Sequence, residues 1–136
     1  MFRAKVTPIL CTYALGLKSA EQQITQASYD AGGAINASAP ASAQAEYAHA
    51  MRNFSDALHT ALDGFRSVAA PSTLTDAYRG FIASLTNVSG YADRAAAYAA
   101  AGNYAGIAAM ENISTPTAGE GVFHAAGITG CQAPTA

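Results

Sequence analysis

Three stretches of this chain space their apolar residues alternately by four and by three, and that pattern governs what the chain can fold into. Val6, Leu10, Tyr13, Leu17, Ala20, Ile24, Ala27 and Ala31 form the first series. Tyr47, Met51, Phe54, Leu58, Ala61, Phe65 and Val68 form the second, and Leu74, Tyr78, Phe81, Leu85, Val88, Ala92, Ala95 and Ala99 the third. Residues three and four apart share one side of an α-helix, so each series reads as a helix with a single buried seam. Three such seams in 136 residues imply helices lying side by side at shallow angles.

The breaks between the series agree. Thr7-Pro8 opens the first helix, with Pro8 at its first position or in the first turn of a slightly longer one. Residues 32–42, rich in Gly, Ala and Ser, form a linker. Pro71 ends the second helix, and Thr73 with Asp76 resembles a capping box for the third. Gly102-Asn103 reads as a helix stop followed by an N-cap. Past Tyr104, Ile107, Met110 and Ile113, the residues Pro116, Gly119 and Gly121 interrupt the pattern; Gly127-Ile128 then looks like a C-terminal cap. The short connections force antiparallel neighbours. The expectation is an all-α, antiparallel up-down-up-down four-helix bundle, one domain over 1–136, with helices at about 5–31, 42–70, 74–101 and 104–127. The last helix is kinked or split near Pro116.

Alanine supplies 34 of the 136 residues and favours helices that approach closely. A net charge of −2 from few, scattered charges leaves no footprint for a nucleic-acid partner. No apolar run reaches the length of a membrane span. Cys11 and Cys131 are too far apart in sequence for a zinc motif. A disulfide between them is expected, stapling the first helix to the tail at one pole of the bundle, and such a bond persists in an oxidising compartment. Met1 to Leu10 is too short, and too interrupted by Pro8, for a secretion signal. The location expected is therefore extracytoplasmic, as a mature chain whose export signal has been removed, with Met1 retained or added.

Candidate chemistry is sparse. Glu46 and His49 have the E-x-x-H spacing of di-iron bundles, but His49 falls on the side opposite the Met51–Leu58 seam, in line with Asn53, Asp56, Thr60 and Asp63. Asp56, His59 and Asp63 share a helix and read as surface ion pairs before a cation site. Glu120 and His124 lie in the irregular last segment. No Ser-His-Asp or Cys-His order is recoverable, and no phosphate loop follows a strand, so no catalytic residue, metal or cofactor is assigned. Asn36, Asn53, Asn87 and Asn112 each begin an N-x-Ser sequon, three of them inside expected helices.

The tyrosines draw more interest. In the expected topology Tyr29, Tyr47, Tyr91, Tyr98 and Tyr104 gather at the pole away from the cysteines, beside the small seam residues Ala92, Ala95 and Ala99. With Met51 and Met110 they either line a ligand pocket with hydroxyls at its mouth or fill the gap that the alanines leave.

Four features resemble a group of small exported or lipid-anchored helical proteins of actinobacteria. They are Cys11 early in the first helix, Ala70-Pro71 before the third, the turn from Ala99 to Tyr104, and the ending from His124 to Cys131. The resemblance covers most of the chain but carries over no catalytic or binding residue; it implies a cell-envelope location. This chain departs from the group at Pro116, Gly119 and Gly121. The function expected is that of a non-enzymatic extracytoplasmic protein binding an envelope partner or a small apolar ligand. A carrier with a tyrosine-lined pocket, and a metal- or haem-binding bundle, are the alternatives.

Overall fold

The computed structural model describes residues 1–33, 35–110, 123, 127 and 128. Helix α1 spans Phe2–Asp30, α2 Ala41–Arg66, α3 Thr75–Ala100 and α4 Tyr104–Ala109. No strand occurs among the described residues. Each helix packs on its neighbour in the chain, α1 on α2, α2 on α3 and α3 on α4, which gives an all-helical, bundle-like arrangement. The three apolar seams form its core. Every residue of the second seam is buried, as is every residue of the third except Leu74; in the first, Leu10, Ile24 and Ala31 are half-buried at the margin. Full burial of a Leu, Phe or Val side chain stabilises by about 1.5–3 kcal/mol, and this is what holds the helices together.

Two glycines set how closely α1 and α2 approach. A Cβ on Gly64 would sit 2.9 Å from Cγ2 of Ile9, and one on Gly16 would sit 3.2 Å from the Cβ of Ala57. One level further along, the Asn53 amide donates to Oε1 of Gln23 at 2.8 Å.

Helix ends depart from expectation where local competition is strongest. α1 begins at Phe2, so Pro8 lies inside it rather than at its start. Pro8 has no N–H to give to the Ala4 carbonyl, a defect costing about 3 kcal/mol in a helix interior. The turn before it is nevertheless anchored. Val6 is fully buried, the Phe2 ring meets Tyr78 edge-on at 5.1 Å, and the Thr7 hydroxyl donates to the Arg3 carbonyl.

α2 stops at Arg66 rather than near residue 70. There Ser67 N–H and Val68 N–H turn back to the Gly64 and Phe65 carbonyls, and the Ser67 hydroxyl also donates to Gly64. Pro71 disfavours helical backbone at Ala70 as well. The Thr73–Asp76 capping box is not formed. The turn that starts at Pro71 feeds directly into α3, with Leu74 N–H and the Thr75 hydroxyl both donating to the Pro71 carbonyl. Asn103 does cap α4, its Oδ1 accepting from Gly106 N–H at 2.9 Å after Gly102 at φ +68°. That helix ends at Ala109 with Met110 extended, ahead of Pro116.

The linker is more ordered than its composition implies. The Gln44 side chain donates to the carbonyls of Asn36, Ala37 and Ala39, and Asn36 Oδ1 accepts from Ser38 N–H.

An aromatic hub closes the end of the core nearest Phe2. Fully buried Phe65 has Tyr13, Tyr78, Phe81 and Phe123 around it at centroid distances of 6.1, 6.5, 5.3 and 5.8 Å. Phe123 also stands edge-on to Phe81 at 4.8 Å, which puts this residue of the C-terminal segment in the core. Ile128 N–H donates to the Phe123 carbonyl, with Gly127 at φ +83°, the bond and backbone of a Schellman cap. Pro116, Glu120, His124 and Cys131 lie outside the described residues, and with them the break near Pro116 and the second half of the staple. Cys11 is half-buried, and no free cysteine occurs among the described residues.

Candidate functional site

The seven residues expected to form a ligand site do not share one environment. Tyr47 and Met51 are core residues, 8% and 5% exposed. Tyr104 and Met110 pack half-buried against the same cluster. Burial raises the pKa of the Tyr47 hydroxyl, and nearby Tyr104 adds to the shift. Tyr98 is half-buried and its ring crowds Gly106, where a Cβ would meet it at 3.0 Å. Tyr29 and Tyr91 point elsewhere: Tyr29 stands exposed at the end of α1, and Tyr91 lies at the surface with the Arg94 guanidinium over its ring at 4.6 Å. Tyr47 and Tyr104 are thus neighbours, Met51 and Met110 belong to or pack on the same core, and Tyr29 and Tyr91 stand at the surface.

The histidines separate as their helical phase implies. His49 and Glu46 are exposed and line a small surface hollow with Gln23 and Gln26 of α1. The Glu46 pKa is raised, first by its hydrogen bond with Asp30, then by desolvation and the like charge. His59 ignores Asp56 and Asp63 on its own helix. It reaches across to α3, its Nε2 lying 2.8 and 2.9 Å from the two oxygens of Asp93. Ser55 donates to the same carboxylate, and Ser89 Oγ lies 3.3 Å from the same imidazole nitrogen.

Asp93 was not visible as a partner in sequence, because it lies 34 residues away on another helix. The available signal was the pair of serines, Ser55 and Ser89, each one step off a seam. Burial alone would push the Asp93 carboxyl up, but the bonds from Ser55 and His59 and the imidazole charge outweigh it and hold the pKa below 3.8. Ser, His and Asp are therefore together, yet not as a catalytic relay. A relay needs the carboxylate on one ring nitrogen and the serine on the other, whereas Asp93 and Ser89 both address Nε2. Both serines are also buried. The cluster is a polar clamp between α2 and α3, continued by Arg66 donating to Thr86 at 3.0 Å. Among the described residues no group of three or more His, Cys, Asp or Glu side chains is placed to hold a metal ion.

The feature with binding character lies on α1. Pro8, Ile9, Thr12 and Gly16 face Ala57, Thr60, Ala61 and Gly64 across a groove of about 470 Å³, with Tyr13 at its floor. Its walls are small and apolar because Gly16 and Gly64 keep the helices close. Thr12 and Thr60 are exposed along it, and no charged residue among the described ones lines it. Sequence reading missed this groove, since a glycine in a helix registers there as a weak point and not as a wall. Leu15, 62% exposed, stands beside it.

No family model, curated protein or solved structure matches the chain.

The four sequons also part company. Asn36 lies in the exposed linker; Asn53 and Asn87 lie on α2 and α3; Asn112 lies outside the described residues.

Proposed function

We propose that this is a non-enzymatic binding protein of an extracytoplasmic compartment, an up-down-up-down bundle closed by a Cys11–Cys131 disulfide, that engages an envelope protein or a small apolar ligand through the outer face of α1. The observation carrying this reading is the uncharged groove of about 470 Å³ between α1 and α2, within the usual range of ligand sites. It has apolar walls, the exposed threonines Thr12 and Thr60, and exposed Leu15 alongside.

Supporting the antiparallel topology, contacts descend along α1 as they ascend along α2: Ile9 meets Gly64, Gly16 meets Ala57, and Gln23 meets Asn53. Between α2 and α3 the order is likewise reversed, with Ser55 on Asp93 and Arg66 on Thr86. Supporting the staple, Gly127 lies near Arg3, and Phe123 packs against the core end that holds Phe2 and Tyr78. The C-terminal segment thus returns to the end of α1 that carries Cys11. The resemblance to exported actinobacterial proteins fits the same compartment.

Native mass spectrometry of the disulfide-intact protein from its own source tests the reading. A bound molecule or chain is expected, and Thr60→Arg, which places a charge at the exposed rim, should remove it. A bare monomer for both the natural protein and the variant would reject the proposal.

A further inference from the structure

A solvated helix ordinarily carries charge on the side away from the core. α2 and α3 do so, with Arg52, Asp56 and Asp63 exposed on one and Asp76, Arg79 and Arg94 on the other. α1 does not. From Val6 to Tyr29 its only charged residues are Lys18 and Glu21. It also carries Leu15 and Tyr29, 62% and 78% exposed. These two are 14 residues apart, close to four full turns, and so on the same side. Two hollows flank them, the groove beginning at Pro8 and a second of about 650 Å³ beside Lys18, Gln22, Gln26 and Tyr29. Depletion of charge together with exposed apolar side chains is the composition of a protein interface.

We infer that this face of α1 pairs with the same face of a second copy, the two helices antiparallel about a twofold axis near Ser19 and Ala20; this deepens the proposed binding role of α1 and rests on it. The argument for a second copy is self-complementarity. Lys18 and Glu21, opposite in sign, straddle the middle of the strip from Pro8 to Tyr29. An antiparallel register that sets Lys18 against Glu21 of the second copy forms that pair twice. The same register brings Tyr29 to the level of Leu10 of the other copy. It brings Leu15 to the level of Ile24 and Thr25, beside the second hollow. A projection and a recess at matching distances from one axis are what an isologous interface requires. The strip is about 33 Å long. At roughly one helix diameter in width it buries about 800–1,200 Å² in total, the low end for specific association, so the dimer dissociates in the micromolar range.

Sedimentation velocity on the full, disulfide-intact chain across about 1 µM to 1 mM, a span that brackets such a constant, reads this directly. A monomer–dimer equilibrium is expected. Leu15→Glu should weaken it by about ten-fold or more, and K18E and E21K should each weaken it, since like charges then face each other twice. The double variant K18E/E21K should return the dissociation constant to within about three-fold of the natural one, because exchanging the charges rebuilds both pairs. All three substitutions are at exposed positions, and unchanged far-ultraviolet circular dichroism confirms the fold. A monomer throughout the range, a dimer indifferent to Leu15→Glu, or a double variant no better than the singles would each overturn the inference. A monomer that still carries a ligand or foreign chain removed by Thr60→Arg would overturn the dimer alone and leave the binding role standing.

Discussion

Tyr78 ties the end of one helix to the start of the next. Its hydroxyl donates to the carbonyl of Phe65, in the last turn of α2, where carbonyls lack helical partners. Phe65 O also accepts from Val68 N–H, so removing the hydroxyl weakens this end without orphaning it. Tyr78→Phe should cost about 0.5–1.5 kcal/mol in urea unfolding at neutral pH. Burial raises the phenol from 10.0 to about 12. A folded-state value above the unfolded one means that this stabilisation is complete below about pH 10 and is lost as pH climbs through about 12. Tyr78→Phe should therefore flatten the alkaline fall in unfolding midpoint between those values, and an unchanged fall would assign it to other groups. Asp93 works in the opposite direction. Its folded pKa is below 3.8, so its contribution is present above that value and fades as pH drops through the lower one. With both partners about half exposed, the ion pair is worth under about 1 kcal/mol. Asp93→Asn should show a small loss at pH 6 that disappears near pH 2; a loss that persists there would mean the residue acts through packing.

At the scale of helices, glycine has two meanings. Gly80 and Gly90 in α3 have nothing within 4 Å of an added Cβ, whereas Gly16 and Gly64 face Ala57 and Ile9. Gly80→Ala or Gly90→Ala should raise stability by about 0.5–1 kcal/mol each through helix propensity. Gly64→Ala should lower it despite the same gain, because the branched Ile9 side chain has to shift. Thermal melts of the three single variants check the split; stabilisation by Gly64→Ala would show that α1 and α2 can separate at little cost. The same contrast explains what the sequence disclosed. Four-three spacing located the seams almost residue by residue, because burial follows helical phase. It did not locate the end of α2, which is decided by Ser67, Val68 and Tyr78, nor the start of α1, where Phe2 and Val6 hold a turn that Pro8 weakens. The groove and the His59–Asp93 clamp depend on which helices become neighbours, and periodicity along one helix carries no information about that.

Across the whole molecule, α2 and α3 supply most of the core while α1 faces two ways, inward through Val6, Tyr13 and Leu17 and outward through Leu15 and Tyr29. The proposed staple joins Cys11 to the segment that places Phe123 in the hub. Closing so long a loop is worth about 4–5 kcal/mol in the chain-entropy treatment, with measured gains usually smaller. Reduction should lower amide-exchange protection at Phe123 and Ile128 before it affects Phe54 or Leu85; uniform loss would mean the bond constrains the fold as a whole. The claim most open to direct test is that the outward face of α1 pairs with the same face of a second copy. A dilution series followed by amide nuclear magnetic resonance of the intact chain tests it most directly. The prediction is that concentration-dependent shifts fall on Thr12, Leu15, Ser19, Gln22 and Tyr29, with the α2–α3 clamp at His59 and Asp93 unmoved. Shifts centred on that clamp, or none across the whole series, would contradict it.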